Sequence, residues 1–538
     1  MYLPVKTVFL LLPVFVFSAC NSQSEKKPDT VADTVIVKTV KDKSIPGNFS
    51  TQTKLVFDSS ELAAFLKKYP LFTGFKTNLL SFYRNRKYAY AWFDEKGLIE
   101  QAVNLHNRID NITDEGLPAH VPYRAEFSEL VGAVNGDSTA APAIFTELML
   151  SAQYFFYATN VWGGLDEKQT NDLNWYLPRK KVSYTQLLDS LINGKELLDA
   201  APVFRQYELL KQELKKYHAI LKQAGFATIP PDKKTYKKDD SSAAIVAIRK
   251  VLVQYGAIAA DNASAVFDDE LLQGVLKFQK QVGDKPDGVI GAVLLKELQT
   301  PVENRIEQIA VNMERSRWVP VNIRRNYIVV NIPEYRLHVY EADSVAWSMN
   351  VVVGAVAHKT AIFNGDMKYV VFSPYWNVPS GILRKEVLPG IKKNPNYLAS
   401  HNMEWNGGNV RQKPGPNNSL GLVKFLFPNS FDIYLHDTPS KSLFGESKRA
   451  FSHGCIRLAE PQKLAEYLLR NDAAWSRDKI VAAMNAGKEK YVTLNTPMPV
   501  FIAYFTSWVD RQGKINFRHD VYGRDSRLAK MILEKPAY

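Results

Sequence analysis

The sequence predicts a multidomain α+β protein in which helical segments come first and a strand-rich segment comes last. Up to about position 300, apolar residues recur at helical spacing, as Ile245, Ile248 and Leu252 do. After position 325 the apolar period changes to two, as Ile328 and Val330 show. The 538 residues suffice for about three or four domains of ~100–200 residues each.

Composition is that of an ordinary globular protein, with 46% apolar and 23% charged residues. These fractions exclude a collagen, a disordered chain and a polytopic membrane protein. The net charge of +13 suits anionic partners such as phospholipid headgroups or an anionic cell-wall polymer. No nucleic-acid-binding motif occurs, so nucleic acid is not an expected partner.

The N-terminus carries an export signal. Lys6 precedes an apolar run over residues 8–17, which is too short for a comfortable membrane span. The ending Ser18-Ala19-Cys20 resembles a bacterial lipoprotein cleavage box, which implies removal of residues 1–19 and lipidation of Cys20. An ordinary cleaved signal peptide is the alternative. The chain has two cysteines, so lipidation would leave Cys455 as the free thiol of an exported protein, which favours a catalytic role.

Composition and periodicity divide the rest of the chain into five segments. These are a flexible tether over 20–54, a helical domain over 55–235, a compact three-helix unit over 241–300, a strand-rich domain over 303–526, and a tail over 527–538 that is a short helix or a frayed end. A long, turn-rich stretch over 381–428 interrupts the strands of the fourth segment, which is typical of a functional or a disordered loop.

Cys455 and His436 are the candidate catalytic residues. A thiol needs a base to become a thiolate at neutral pH, and histidine is the usual base. His436 lies nineteen positions upstream, at the end of a segment in which Tyr434 and His436 alternate with Ile433 and Leu435. This alternation predicts a half-buried strand whose polar face ends in His436. Two strand ends side by side would bring the imidazole within hydrogen-bond reach of the thiol.

Residues around the thiol are candidates for binding substrate and its oxyanion. We expect an oxyanion hole at backbone N–H groups around His453, Gly454 and Cys455, because Gly454 permits close approach. His453 either polarises the site or is a structural hydrogen-bonding residue of the turn. On a strand, Arg457 faces the same way as Cys455 and either binds a carboxylate, lowers the thiol pKa or forms a structural ion pair. The set of substrate-site candidates is Tyr434, Ser452, His453, Gly454 and Arg457.

Two motifs identify a family resemblance. His436-Asp437-Thr438-Pro439 and Ser452-His453-Gly454-Cys455-Ile456-Arg457 resemble the active-site signature of the YkuD-type L,D-transpeptidases. The resemblance implies a cysteine thioester intermediate, a tetrapeptide peptidoglycan stem as donor, release of its terminal D-alanine, and 3–3 cross-links to an acceptor stem. It also implies inhibition by carbapenems. No cofactor is expected, and no metal site, because no H-x-x-x-H spacing occurs.

Other segments resemble the remaining parts of the large members of that family. Phe278-Gln279-Lys280 and Asp287-Gly288 are similar to a three-helix peptidoglycan-binding domain, and residues 55–235 resemble the N-terminal scaffold domain. By the same resemblance, 381–428 is a capping loop over the active site, with a passive surface loop as the alternative. The implied protein is periplasmic and lipid-anchored, with the outer membrane favoured.

Several questions stay open at the level of sequence. The same Cys–His pair would serve an L,D-carboxypeptidase or another hydrolase, and a wall-binding lipoprotein without catalysis is a third alternative. The group that orients His436 is Asp437, Thr438 or a backbone carbonyl. Acceptor preference and oligomeric state are not indicated.

Overall fold

The computed structural model describes residues 45, 47, 50–134, 142–193, 203–320, 326–342 and 344–534. The predicted signal peptide (1–19), Cys20, most of the tether (20–54) and the last residues of the predicted tail lie outside these ranges. In the described ranges no helix is both long and apolar enough to cross a membrane.

The first part of the chain is helical, as the apolar spacing predicts. Its elements are α1 Ser60–Lys68, α2 Lys76–Asn85, β1 Phe93–Asp94, β2 Gly97–Leu98, α3 Glu100–Asp110, α4 Arg124–Gly132, α5 Ile144–Tyr157, α6 Glu167–Asp172, β3 Trp175–Tyr176, α7 Tyr184–Asn193 and α8 Arg205–Lys222. Helix α5 is buried along almost its whole length and forms the centre of this core. The charged residue of this helix, Glu147, is buried with it.

Three helices follow at the predicted positions, α9 Ala243–Gln254, α10 Asp269–Val282 and α11 Ala292–Leu298. The start of α10 is fixed by the Asp268 carboxylate, which accepts a hydrogen bond from Leu271 N. Its end is fixed by Gly283, whose left-handed backbone stops the helix. The segment before α9 packs onto this unit, because the buried Tyr236 pairs with Ile290.

Helix α12, Val302–Trp318, joins two hydrophobic cores. Ile309 and Met313 belong to the core of the helical part, whereas Val311 and Trp318 belong to the core of the strand-rich part. Because both sides of the helix are covered, its arginines are buried and paired with carboxylates. The pairs are Arg305 with Glu297, Arg315 with Asp525 and Arg317 with Glu314.

The strand-rich part is a sheet that closes on itself. Its main elements are β4 Asn326–Asn331, β5 Arg336–Glu341, β6 Ser344–Gly354, β7 Ile362–Phe372, β8 Trp376–Asn377, α13 Ser380–Ile382, α14 Leu388–Lys393, α15 Tyr397–Ser400, β9 Met403–Asn406, β10 Asn409–Gln412, β11 Val423–Leu426, β12 Leu435–His436, β13 Ala450–Ser452, β14 Ile456–Leu458, α16 Pro461–Leu469, α17 Arg477–Met484, β15 Lys490–Ala503, β16 Ser507–Val509, β17 Ile515–Phe517 and α18 Asp525–Leu533. The strand order is β11-β12-β14-β6-β5-β4-β15-β7, and β11 also pairs with β7. This last pairing removes two exposed edges.

The turn-rich stretch is a folded unit and not one long loop. Strands β8, β10 and β9 form a separate small sheet, and Val378, Val387 and Val410 form a separate small core. We call residues 376–412 the insert. The predicted range 381–428 needs correction at both ends, because β8 precedes it and β11 within it belongs to the main sheet. Strand β11 was included in the predicted loop because it is short and has turn residues on both sides.

Two segments cross the predicted domain boundaries. Strand β3, within the predicted range 55–235, pairs in parallel with β7 of the main sheet. Strands β16 and β17 form a hairpin within the predicted range 303–526, yet its residues Val509, Ile515 and Phe517 lie in the core of the helical part. The tail begins as helix α18, which packs on α12.

Candidate active site

Four candidate residues lie on one face of two neighbouring strands. Strands β12 and β14 run in parallel, with Leu435 opposite Ile456 and His436 opposite Arg457. Leu435 and Ile456 are fully buried on the core side. Because side chains alternate along a strand, Tyr434, His436, Cys455 and Arg457 share the opposite face. The predicted strand around His436 and its position next to the thiol strand are therefore found, although β12 spans two residues.

Cys455 is half-buried, and its thiol is hydrogen-bonded. Its Sγ–H donates to the carbonyl oxygen of Asp432 over 3.6 Å. Burial of the sulfur raises the pKa of the Cys455 thiol, against the effects of hydrogen bonding by Tyr434 and the positive charge of Arg457. Cys455 therefore rests as a thiol, and it would need a base to act as a nucleophile.

His436 is buried and held in one tautomer. Its Nδ1–H donates to the backbone carbonyl of Asp437 at 2.5 Å, and Nε2 has no hydrogen-bond partner among the described residues. Burial lowers the pKa of His436 to about 4, and the positive charge of Arg457 acts in the same direction. At neutral pH the ring is thus neutral with Nε2 free to accept a proton. The orienting group that the sequence left open is a backbone carbonyl.

Asp437 supports this arrangement through its side chain. Its carboxylate accepts hydrogen bonds from Leu422 N at 2.9 Å and Thr438 N at 2.7 Å, and it pairs with Lys441. These contacts fix the backbone whose carbonyl holds His436.

The predicted hydrogen bond between thiol and imidazole is not among the contacts of the described residues. The thiol uses the Asp432 carbonyl instead, which lies on the segment that leads into β12. A different staggered rotamer of Cys455 redirects the sulfur without a backbone change. Hydrogen bonds of catalytic pairs are often long or misaligned before substrate binds.

The turn over residues 452–455 shapes the backbone beside the thiol. The buried Ser452 hydroxyl accepts a hydrogen bond from Gly454 N at 3.1 Å and donates to the carbonyl of Cys455. Gly454 has φ +117, a backbone conformation that side chains rarely permit. Because Gly454 N–H is engaged, the predicted oxyanion donors reduce to the N–H groups of His453 and Cys455, for which no partner occurs in the described part.

Two residues that the sequence analysis missed hold this turn in place. Thr360 Oγ1 donates to the carbonyl of Gly454 at 2.8 Å and accepts from Gly354 N at 2.9 Å. The Tyr522 hydroxyl donates to the carbonyl of Gly354 at 2.7 Å and accepts from Thr360 N at 3.2 Å. Neither residue belongs to a motif, and Thr360 is 94 positions from Gly454, so no local signal indicates them.

Arg457 carries a cation without a carboxylate partner in the described part of the chain. It is half-buried, and its Nε is a buried donor without a hydrogen bond. Burial lowers the pKa of Arg457. The structural ion pair considered from sequence is therefore not formed. On the other side of His436, Lys424 does have a partner, Glu489 at 3.6 Å.

The exposed side chain of His453 contacts the insert. Its Nε2 lies 3.5 Å from the Glu386 carboxylate, and its ring centroid lies 5.0 Å from that of His358. Glu386 belongs to the helical turn Leu383–Val387 of the insert. No group of three or more His, Cys, Asp or Glu side chains among the described residues is arranged to hold a metal ion.

Comparisons with known proteins fit this geometry. Residues 325–497 match the model of the YkuD L,D-transpeptidase catalytic domain, and residues 77–214 match the model of the Scaffold domain. A curated Haemophilus influenzae protein, named as a candidate L,D-transpeptidase, is 32% identical over 253 residues. The match covers 43% of this chain and 51% of that protein, so the chain spans about half the length of this relative.

Solved structures resemble the chain at low scores. An L,D-transpeptidase from Stackebrandtia nassauensis is 13% identical, covering 50% of this chain and 96% of its own, with a TM-score of 0.22. An L,D-transpeptidase solved in complex with imipenem is 16% identical, covering 33% of this chain and 59% of its own, with a TM-score of 0.17. TM-scores this low do not support an assignment of fold or function. The two family models place a YkuD-type L,D-transpeptidase catalytic domain, preceded by a Scaffold domain, in this chain.

Proposed function

We propose that this protein is a peptidoglycan L,D-transpeptidase that forms 3–3 cross-links between stem peptides through a thioester on Cys455. The observation that carries the proposal is the pairing of strands β12 and β14. It sets a neutral histidine with a free Nε2 on the same face as a half-buried thiol. A thiol and a base so arranged are the usual elements of nucleophilic acyl transfer.

In the first half-reaction, Cys455 attacks the carbonyl carbon that precedes the donor's terminal D-alanine. The thiol proton passes to His436 Nε2 and a C–S bond forms, giving a tetrahedral oxyanion. The N–H groups of His453 and Cys455 stabilise that oxyanion. The intermediate collapses with cleavage of the C–N bond, and D-alanine leaves with the proton returned by His436.

In the second half-reaction, an amine of the acceptor stem attacks the thioester carbonyl. His436 Nε2 removes a proton from the attacking nitrogen, a C–N bond forms, and the C–S bond breaks. The sulfur leaves and is reprotonated by His436. Water in place of the amine would give a carboxypeptidase, which uses the same residues.

Arg457 binds a carboxylate of the donor stem in this proposal. A half-buried guanidinium beside the thiol, without a carboxylate of its own in the described part of the chain, favours an anionic ligand. The insert caps the substrate by the contact of Glu386 with His453. A carbapenem acylates Cys455 in place of the donor.

The remaining parts of the chain position the enzyme. We propose that residues 241–300 dock on peptidoglycan, and that Cys20 is lipidated after removal of residues 1–19. The protein then acts in the periplasm from a lipid anchor, with the outer membrane favoured.

The decisive experiment is mass spectrometry of the purified protein after incubation with a tetrapeptide-stem muropeptide, followed by a carbapenem. A cross-linked dimer together with a covalent adduct on Cys455 is the expected result. Loss of D-alanine without dimer would replace the proposal by a carboxypeptidase. Absence of both turnover and adduct would leave a wall-binding protein.

A further inference from the structure

The edge strand that the helical part adds to the main sheet contacts the segment that carries the hydrogen-bond acceptor of the Cys455 thiol. In β3, Trp175 pairs with Ile362 and Tyr176 pairs with Phe363. The Tyr176 ring packs on the Phe431 ring with centroids 5.2 Å apart. Phe431 immediately precedes Asp432, whose carbonyl accepts the hydrogen bond from the Cys455 thiol.

The Phe431 ring contacts two aromatic rings. Its centroid lies 5.2 Å from that of Tyr176 and 4.9 Å from that of Phe363. The next residue, Asp432, has φ +55, a left-handed conformation that residues other than glycine seldom adopt. Such a conformation persists only where its surroundings fix it. The two ring contacts of Phe431 supply part of that constraint, and Asn429 supplies another part by accepting hydrogen bonds from Phe431 N and Ile433 N.

The backbone of Tyr176 is held in place by its neighbours, although the Tyr176 side chain is partly exposed to solvent. The preceding residue, Trp175, is buried and packs edge-on against Trp318 at 5.0 Å. Arg524 donates to the carbonyl of Leu173 at 2.8 Å, which ties the start of the strand to the segment before α18. Tyr176 is 40% exposed, so its ring adds little to the core.

We infer that Tyr176, in the region that matches the Scaffold model, is a positioning residue for the thiol of Cys455. Its ring fixes Phe431, the fixed ring holds the left-handed Asp432, and the Asp432 carbonyl sets the direction of the thiol. The inference rests on the proposed nucleophilic role of Cys455. It gives the Scaffold region a part in the active site through contact with its backbone.

The test compares Tyr176→Ala with Tyr176→Phe and with the control Leu71→Ala in the full chain. Leu71 is 42% exposed in the helical turn Pro70–Phe75, which packs on α1, α2 and α5. Iodoacetamide alkylation is followed from pH 6 to pH 10 by mass spectrometry of the tryptic peptide over residues 450–457. This peptide reports Cys455 separately from Cys20.

We expect Tyr176→Ala to raise the alkylation rate of Cys455 at pH 7 by about threefold or more, because a loosened turn hydrates the thiol and lowers its pKa. The kcat of transpeptidation falls while KM changes little. Tyr176→Phe keeps the ring and matches the wild type, as does Leu71→Ala. The groups around the thiol, which are Asp432, Tyr434, His436, Arg457 and the His453–Glu386 pair, are the same in every variant.

An alkylation profile of Tyr176→Ala equal to or slower than that of the wild type, with an unchanged Tm, would overturn the inference. If the alanine variant unfolds, Tyr176→Leu supplies the same comparison with apolar cover retained. The alkylation assay needs no substrate. A wild-type protein without transpeptidation, but with alkylation that depends on Tyr176, would therefore refute the proposed function and leave the positioning role standing.

Discussion

Two polar clusters within the protein differ in how completely they are paired. In the helical core, the Glu147 carboxylate accepts hydrogen bonds from Tyr83 Oη at 2.8 Å, Ala91 N at 2.6 Å and Trp92 N at 2.9 Å. On the face of β12 and β14, among the described residues, His436 Nε2 and Arg457 Nε have no hydrogen bond. A paired buried cluster stabilises a fold, whereas unpaired groups beside a nucleophile are available to a ligand.

We therefore expect the Glu147 cluster to contribute mainly to stability and the β12–β14 face to contribute mainly to activity. Removing a member of the Glu147 cluster leaves donors buried without acceptors, which is costly. On the β12–β14 face the cost is smaller, because Arg457 Nε has no hydrogen bond to lose, and removal of Cys455 or His436 frees a single backbone carbonyl. Variants at the two sites should therefore have opposite phenotypes, and four experiments test this from the largest expected effect to the smallest.

The largest effect on activity is expected for Cys455→Ala. Without the sulfur no thioester forms, so we expect the transpeptidation rate to fall by roughly 10⁴-fold or more. Because Cys455 is only half-buried and its loss removes a single weak hydrogen bond, the free energy of unfolding should change by no more than about 1 kcal/mol. Muropeptide turnover and denaturant unfolding measure the two effects. Marked destabilisation by this variant would break the comparison.

His436→Gln should reduce the rate by roughly 10²–10⁴-fold, since the base is lost while the shape is largely kept. The pH profile of the unaltered enzyme gives a second test. The pKa of His436 is lowered to about 4 by burial, so kcat/KM should persist through pH 5 and fall as the pH drops past about 4. A fall centred near pH 6.5 would contradict this assignment.

Glu147→Ala should lower the free energy of unfolding by about 3–5 kcal/mol and leave kcat unchanged at temperatures where the variant is folded. Burial raises the pKa of Glu147 to about 7. The folded state thus holds a proton that the unfolded state loses near pH 4.5. The resulting stability is present below pH 4.5 and is lost as the pH rises through 7, an effect of roughly 3 kcal/mol. Urea unfolding of Glu147→Gln should lack this component.

The smallest effect is expected for Arg457→Met. Loss of a charged hydrogen bond to the donor carboxylate should raise KM for the donor by roughly 10- to 100-fold, at about 1.5–3 kcal/mol for such a bond. Stability should be unchanged or slightly higher, because an unpaired half-buried cation is removed. Arg457→Lys tests whether charge alone suffices. An unchanged KM in Arg457→Met would assign the carboxylate to another group.

The local sequence pattern predicted those features of the site that are determined by residues close together in the sequence. The alternation around Tyr434 and the position of Cys455 after a glycine predicted adjacent strands with both side chains on one face. The carbonyl that holds His436 was left among alternatives, because the backbone direction after a strand depends on what fixes Asp437. Thr360 was not predicted, because it meets Gly454 only through the pairing of distant strands.

The same limit applies to the fold. The three helices α9, α10 and α11 were predicted from apolar spacing, which is a local signal. The insert was predicted as a loop, because its short strands pair mainly with one another between turns. The two residues of β3 have no pattern of their own, and their strand character comes from the edge of β7. For residues 241–300, which contain α9, α10 and α11, the interpretation as a peptidoglycan-binding domain stays a prediction.

The β16–β17 hairpin bears on how the chain acquires its structure. Val509, Ile515 and Phe517 complete a core whose other members begin near the start of the described chain. Since synthesis proceeds from the N-terminus, this core stays incomplete until the chain has been made at least as far as Phe517. Contacts between such distant positions slow folding and leave apolar surface open in the interim. Truncation shortly before the hairpin should therefore yield a protein that aggregates, even though every helix of the Scaffold region is present.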